Sequence, residues 1–207
     1  MEALLNEALK KHWETVYETK DPHEVSWTQE KPTMSLHLIE TLNLAKDASI
    51  IDIGGGDSKL VDFLLAAGYL NLSVLDISEK ALQKAQKRLG DKADLVTWIV
   101  ADITQFVPTQ QYDLWHDRAV FHFLTKDEDV QTYQSLLQNY AHSSVVIGTF
   151  SEEGPLKCSG LAIRQYSEES LTAVMQPIFE KVQITKEEHT TPFNTQQNFI
   201  FGLFKRV

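Results

Sequence analysis

Short apolar runs alternate along the chain with segments in which apolar residues recur every three or four positions. The first run, Ile50 to Ile53, is rich in β-branched residues and stops at three glycines. Residues 59–67 follow with the apolar spacing of a helix packed on a sheet. Further strand-like runs occupy residues 72–75, 95–100, 112–116 and 144–150, with helical patterns at 78–89 and 127–140. This alternation predicts an α/β fold, a parallel sheet with right-handed crossovers and helices on both faces.

Two further helices are predicted before the first strand. Residues 2–18 have one apolar face, and Pro32 begins a second helix that extends to about Leu44. The segment between them has no clear period and contains Trp27. A tryptophan at this position either covers a ligand or fills the nearby core.

Composition narrows the class of protein. The chain has 207 residues, which favours one domain, and 29 acidic against 19 basic residues give a formal charge of −10. No long Lys/Arg run is present, so an extended nucleic-acid surface is not expected. A single cysteine, Cys158, permits no intramolecular disulfide and suggests a reducing compartment. Without a membrane-length apolar run or a signal pattern, we expect an unprocessed cytoplasmic protein that does not contact membranes.

The glycines after the first strand suggest a ligand. Gly54, Gly55 and Gly56 lack a Cβ, so a bound molecule can lie against the backbone and face the amides of the following helix. The dinucleotide pattern G-x-G-x-x-G is incomplete because Lys59 occupies its third glycine position. Asp52, just before the glycines, suits a cationic ligand better than a phosphate. A bare turn without a ligand is the alternative.

Acidic residues follow four successive predicted strands. Asp52 ends the first strand, Asp76 the second and Asp102 the third, while His116 and Asp117 end the fourth. Taken singly, each aspartate suits a helix cap or a turn. Parallel strands end at one edge of a sheet, however, where Asp76 is placed to accept from ribose hydroxyls and Asp102 from an adenine amine. The set therefore favours a nucleoside ligand.

The sequence resembles the class I S-adenosylmethionine-dependent methyltransferases. The matching stretches are I-I-D-I-G-G-G-D-S, V-L-D-I-S, A-D-I and Y-D-L-W-H-D-R-A, spread over residues 50–119. The resemblance implies that S-adenosylmethionine is the cofactor and that S-adenosylhomocysteine is the product. It implies a Rossmann-like seven-stranded mixed sheet whose last strand is antiparallel, completed by residues 179–187 and 198–205.

The resemblance also assigns site residues. The methionine part of the cofactor is expected at Asp52 and the three glycines, with Ser58 where the family commonly has another glycine. The ribose is expected at Asp76, adenine at Ile77, Asp102 and Ile103, and the sulfonium at His116 and Asp117. Trp27 is a candidate cofactor-binding residue on a separate ground, its place in the loop between the first two helices. The Pro-Gly-Gly-like turn that usually precedes the fifth strand is replaced by Ala141-His142-Ser143-Ser144, which obscures that boundary.

The expected reaction is in-line displacement of the methyl group, which needs a general base only if the acceptor arrives protonated. His116, Asp117 and His122 are the candidate catalytic residues, with His189 a further candidate for base or acceptor binding. Each also has a structural interpretation, as a core, capping or pairing residue. The segment W-H-D-R-A is similar to that of thiopurine-type methyltransferases and favours a small-molecule acceptor, with sulfur or another soft atom as one candidate for the methylated atom. Protein-lysine methyltransferases, a dehydrogenase-like enzyme and a non-catalytic cofactor-binding protein are the alternatives.

The chain is expected to form one domain in three parts. Residues 1–45 form a helical cap, residues 46–150 bind the cofactor, and residues 151–207 supply a lid loop and the last strands. The segment 151–166 contains two glycines and a proline at the ligand-binding edge, which suggests a cover for the acceptor. Cys158 within it is better explained as a buried small side chain than as a nucleophile. The histidines lack ligand spacing, so no metal site is predicted.

Overall fold

The protein is built around one seven-stranded sheet, as seen in a computed structural model that describes residues 2–207 and their side chains from residue 6 onward. Its strands are β1 Ser49–Ile53, β2 Asn71–Asp76, β3 Val96–Val100, β4 Tyr112–Arg118, β5 Ala141–Phe150, β8 Phe179–Thr190 and β9 Gln196–Arg206. They lie in the order β3-β2-β1-β4-β5-β9-β8. β1 to β5 are parallel, and β9 runs antiparallel to both of its neighbours. The predicted mixed sheet with an antiparallel last strand is confirmed.

Six α-helices accompany the sheet in the described part of the chain. They are α1 Glu2–Thr19, α2 Thr33–Thr41, α3 Leu60–Ala66, α4 Glu79–Leu89, α5 Asp127–Tyr140 and α6 Glu168–Met175. A small hairpin, β6 Lys157–Cys158 and β7 Leu161–Ala162, follows β5. Among the described residues, none of these helices combines the length and the apolar character needed to span a membrane.

The sheet has a hydrophobic core on each face. Ile51 and Ile53 pack in one cluster with residues of α5 and α6, whereas Ile50 packs in the other with residues of α2, α3 and α4. This division follows from the strand geometry, because successive side chains of a strand point to opposite faces. Both faces of β1 are therefore buried, as its continuous apolar sequence predicted.

Among the element ends that differ from the sequence expectation, two have a local cause. β5 begins at Ala141, directly after α5, three residues before the expected start at Ser144. The Ala141 amide still caps the helix by donating to the Leu137 carbonyl, so no separate turn is needed. α2 ends at Thr41 rather than near Leu44, because Asn43 adopts a left-handed conformation with φ of 49° that stops the helix.

Candidate active site

A pocket of about 350 Å³ lies at the carboxyl ends of the central strands, beneath α1 and the segment between α1 and α2. Its wall contains ten of the predicted site residues: Trp27, Asp52, Gly54, Gly55, Ser58, Asp76, Ile77, Asp102, Ile103 and His116. Side chains separated by up to about ninety positions in the sequence thus meet at one edge of the sheet, as expected for a parallel fold. The volume lies within the range typical of small-molecule sites.

The glycine loop is shaped by close contacts that exclude larger residues. Gly54 has a φ of +64°, and a Cβ there would lie 1.9 Å from Cγ2 of Val120. A Cβ on Gly55 would lie 2.7 Å from Asp52 Oδ2. Gly56 has a φ of +47° and lies under the Tyr17 hydroxyl rather than on the pocket wall. The loop therefore exposes backbone to the pocket at Gly54 and Gly55, where a ligand can approach closely.

Carboxylates crowd the part of the pocket nearest β2 and β3. Burial, with smaller effects from Asp57 and Asp52, raises the pKa of Asp76 to about 7. Its Oδ1 accepts a hydrogen bond of 2.8 Å from the Ser78 amide. Burial also raises the pKa of Asp57, while Asp102 Oδ1 accepts from the Thr104 amide and hydroxyl at 2.9 and 2.8 Å. Crowded, desolvated acids favour a ligand that brings positive charge or hydrogen-bond donors.

His116 belongs to a buried chain of three polar side chains. Strand pairing places it beside Asp52, and its Nδ1 lies 2.7 Å from Asp52 Oδ1. Its Nε2 lies 2.9 Å from the hydroxyl of Ser35, in the first turn of α2. An ionised carboxylate only accepts, so Nδ1 is the nitrogen that donates to Asp52; in the neutral imidazole Nε2 then accepts from the serine. All three residues line the pocket, and nothing in the local sequence around Ser35 signalled this contact.

Asp117 lies off the pocket wall, so the structure does not place it among reacting groups. It is fully buried on the opposite face of the sheet from His116. Its Oδ1 accepts from the amides of Val120 and Phe121, both at 3.1 Å, and its Oδ2 accepts from the Tyr133 hydroxyl at 2.8 Å. Asp117 therefore ties the loop after β4 to α5, which matches the capping interpretation.

The other two histidine candidates are also set back from the pocket wall. His122 stacks on Phe150, with ring centroids 4.4 Å apart, and burial lowers its pKa to about 3. A ring that stays neutral inside the core suits packing rather than proton transfer. His189 donates from Nε2 to the Ser26 carbonyl at 2.7 Å and so holds the segment that carries Trp27.

Aromatic residues that the sequence did not assign to the site form its roof. Trp13 and Tyr17 are one helical turn apart on α1 and line the pocket with Phe123. The Trp13 ring lies 5.6 Å from that of Trp27 and 5.4 Å from that of Phe123. The i, i+4 spacing of the two α1 aromatics was the available signal, but it does not tell which part of the molecule they cover.

The segment after β5 also reaches the pocket. The β6–β7 hairpin brings Cys158 onto the wall, and the next residue, Ser159, lies 3.2 Å from His12 Nε2 of α1 through its hydroxyl. Burial raises the pKa of the Cys158 thiol to about 12, so this side chain stays protonated and packs as a small apolar group.

Comparison with known proteins points to one family. Residues 51–143 match the sequence model of a methyltransferase domain. No curated protein sequence matches the chain. A methyltransferase from Anabaena variabilis, described as S-adenosylmethionine-dependent, has 14% identity and a TM-score of 0.76 over 98% of this chain and 95% of its own.

Two further structures combine the same fold with a bound product. The 1,6-didemethyltoxoflavin-N1-methyltransferase of Burkholderia thailandensis, solved with its substrate and S-adenosylhomocysteine, has 15% identity and a TM-score of 0.71, with 96% of this chain and 87% of that one covered. The magnesium protoporphyrin IX methyltransferase of Synechocystis, solved with S-adenosylhomocysteine, has 16% identity and a TM-score of 0.67 over the full length of both chains. At these identities the likeness concerns the fold. Residues 51–143 therefore match a methyltransferase domain in sequence, and nearly the whole chain has the fold of these S-adenosylmethionine-dependent methyltransferases.

Proposed function

We propose that this protein binds S-adenosylmethionine in the pocket at the ends of β1 to β4 and transfers its methyl group to a small molecule. The observation that carries the proposal is the meeting, in one pocket, of the exposed glycine backbone, the acidic strand ends and the buried Ser35–His116–Asp52 chain. The small-molecule acceptors of the Burkholderia and Synechocystis enzymes support this class of acceptor.

The residues of the pocket fit this cofactor. We assign the ribose to Asp76, whose carboxylate gains hydrogen-bond donors there, and adenine to Ile77, Asp102 and Ile103. The amino-acid part of the cofactor is assigned to the loop at Gly54 and Gly55, where a Cβ would collide with neighbouring atoms. Asp52 lies beside that loop and adds negative charge. The cofactor supplies a methyl group on a positively charged sulfur, which a nucleophile attacks directly.

His116 is the proposed general base, and Ser35 is the group that connects it to the pocket. Asp52 fixes the proton on Nδ1, which leaves Nε2 to accept from the Ser35 hydroxyl. A protonated acceptor beside Ser35 gives its proton to the serine oxygen as the serine proton passes to Nε2. The ionised Asp52 then stabilises the imidazolium that forms. General-base assistance of this kind contributes on the order of a hundredfold or more to a rate.

Calorimetric titration with S-adenosylmethionine, S-adenosylhomocysteine and NADH tests the cofactor assignment. We expect dissociation constants in the micromolar range for the first two ligands and no binding of NADH. Asp76→Ala should weaken S-adenosylhomocysteine binding by about tenfold or more, because a carboxylate that accepts from the ligand is lost. Binding of NADH instead would favour the dehydrogenase-like alternative.

Kinetics of His116→Gln and Ser35→Ala test the base. Both variants should keep S-adenosylhomocysteine affinity within about twofold of the wild type, while kcat falls by about a hundredfold in His116→Gln. The loss should shrink as the pH is raised, because an acceptor that ionises in solution no longer needs a base. A loss of kcat that does not change with pH would argue for a structural role of His116.

A further inference from the structure

Arg118, at the end of β4, is a pocket cation whose hydrogen bonds are only partly used. Its Nη1 donates to the Trp27 carbonyl at 3.0 Å, and its guanidinium lies 4.8 Å from the Phe199 ring centroid. Among the described residues, its Nε and Nη2 have no hydrogen-bond partner and are shielded from solvent. These two nitrogens form the edge of arginine that binds a carboxylate through two parallel hydrogen bonds.

Burying the charged guanidinium of Arg118 with two nitrogens unpaired costs free energy in the ligand-free protein. Burial lowers the pKa of Arg118 to about 10, so the side chain still carries its charge at neutral pH. Asp52 and Glu187 are the acidic groups that act on it most strongly, yet neither forms an ion pair with it in the described structure. A buried charge with unused donors favours the binding of an anion at that edge.

Other cations of the pocket wall differ in this respect. Lys59 is paired with Glu30 and Arg88 with Asp62, while Lys126 is exposed to solvent. Arg118 also lies apart from Asp76 and Asp102, the acidic residues at the carboxyl ends of β2 and β3, since β4 pairs with β1 and β5. His116, two residues earlier on the same strand, points to the same face of the sheet.

We propose that Arg118 binds a carboxylate of the methyl acceptor, so that the substrate is a small carboxylic acid whose nucleophilic atom lies beside Ser35. The inference rests on the proposed function, because it assigns one end of the same acceptor. Two parallel hydrogen bonds from Nε and Nη2 fix the plane of the carboxylate and thereby orient the rest of the molecule.

Entry of such an acceptor involves the β6–β7 hairpin. Cys158 of this hairpin lies near the guanidinium, and each influences the pKa of the other. Because Nε and Nη2 are shielded, an anion reaches them only when the covering side chains move apart. The contact between Ser159 and His12 links the hairpin to α1.

Matched pairs of acceptors test the proposal. The probes are hydroxybenzoate, aminobenzoate and mercaptobenzoate, each compared with its amide, and methyl transfer is followed as S-adenosylhomocysteine release. We expect kcat/KM for at least one acid to exceed that for its amide by about tenfold or more. Arg118→Met should abolish this preference. Arg118→Lys should keep part of it, because lysine retains the charge but cannot form the two parallel hydrogen bonds.

A binding experiment covers the case in which none of these probes is turned over. Benzoate and benzamide are titrated into the protein saturated with S-adenosylhomocysteine, where benzoate should bind more tightly in the wild type and equally in Arg118→Met. Equal binding of both probes to the wild type would overturn the proposal.

Two further measurements separate the rival explanations. If Arg118→Met weakened S-adenosylhomocysteine binding by about tenfold, the guanidinium would serve the carboxylate of the cofactor instead, and the proposal would be wrong. If Glu187→Gln destabilised the fold as much as Arg118→Met and no acid preference was seen, the two residues would form an internal pair. Methyl transfer to amides alone would leave the proposed function intact and refute only this inference.

Discussion

The ionisation of Asp76 provides a direct test of the ribose assignment. The carboxyl group is buried, and the acidic groups that act on it are Asp57, Asp52 and Glu14, with the Tyr17 hydroxyl above the adjacent loop. Burial is the main cause that raises its pKa to about 7, so the group titrates between pH 6 and pH 8. Ribose hydroxyls donate to the ionised form, which makes cofactor affinity depend on pH in this range.

The size of the effect follows from the ionised fraction. With a pKa of about 7, about nine-tenths of the Asp76 groups are ionised at pH 8 and about one-tenth at pH 6. The dissociation constant of S-adenosylhomocysteine should therefore rise about tenfold when the pH falls from 8 to 6, because only the ionised fraction is competent. This corresponds to about 1.4 kcal/mol of binding free energy.

Folding stability should change in the opposite direction. The pKa of Asp76 is higher in the folded protein than in the unfolded chain, so the stability that this group contributes is complete below about pH 4 and is lost as the pH rises through about 7. The contribution of Asp76 therefore makes the ligand-free protein less stable at pH 8 than at pH 6, whereas cofactor affinity is higher at pH 8. Because stability and affinity change in opposite directions, weaker binding at low pH cannot be the result of acid unfolding through this group.

Calorimetry with S-adenosylhomocysteine at pH 6, 7 and 8 and constant ionic strength measures the dependence. In Asp76→Asn the affinity should be weaker and nearly independent of pH. In Asp57→Asn the slope should remain, with its midpoint at lower pH because one neighbouring negative charge is gone. Equal wild-type affinity at pH 6 and pH 8, or an unchanged slope in Asp76→Asn, would refute the reasoning.

Two substitutions test the loop and the core. Gly54→Ala places a Cβ 1.9 Å from the side chain of Val120. Its free energy of unfolding should therefore drop by more than the roughly 1 kcal/mol expected for the control Gly68→Ala, where φ is also positive but the space around the Cβ is open. Only Gly54→Ala should lose S-adenosylhomocysteine binding. Tyr133→Phe removes the hydroxyl that donates to Asp117 and should cost about 1–3 kcal/mol in urea unfolding at neutral pH. Tyr166→Phe, which removes a buried hydroxyl that has no hydrogen-bond partner among the described residues, is the control and should change stability little. Equal effects of the two variants in either pair would contradict these contacts.

The strands and the acidic strand ends were predictable because their signals are local. Each β-branched run fixes a strand, and the parallel arrangement then carries Asp52, Asp76 and Asp102 to one edge. The error at Asp117 has a simple cause. Adjacent residues of a strand face opposite sides, and the register of β4 between its neighbours turns His116 toward the pocket and Asp117 away from it.

The remaining site residues depend on long-range packing. Tyr17 and Ser35 belong to helices that precede the sheet, and their contacts with Gly56 and His116 join distant parts of the chain. Helix periodicity predicts an apolar face for each helix, but it does not predict where on the sheet, or in which orientation, that face packs. Arg118 was visible as part of a motif, yet its unused donors become evident only when its surroundings are known.

The pocket wall is assembled from two kinds of sequence. The segment matched by the methyltransferase-domain model, residues 51–143, contributes the glycine loop, the acidic strand ends and β4. Trp13, Trp27 and Ser35 come from before this segment, and Cys158 comes from after it. Two proteins that share only the matched segment can therefore differ in the aromatic cover of the pocket and in the hydroxyl beside His116.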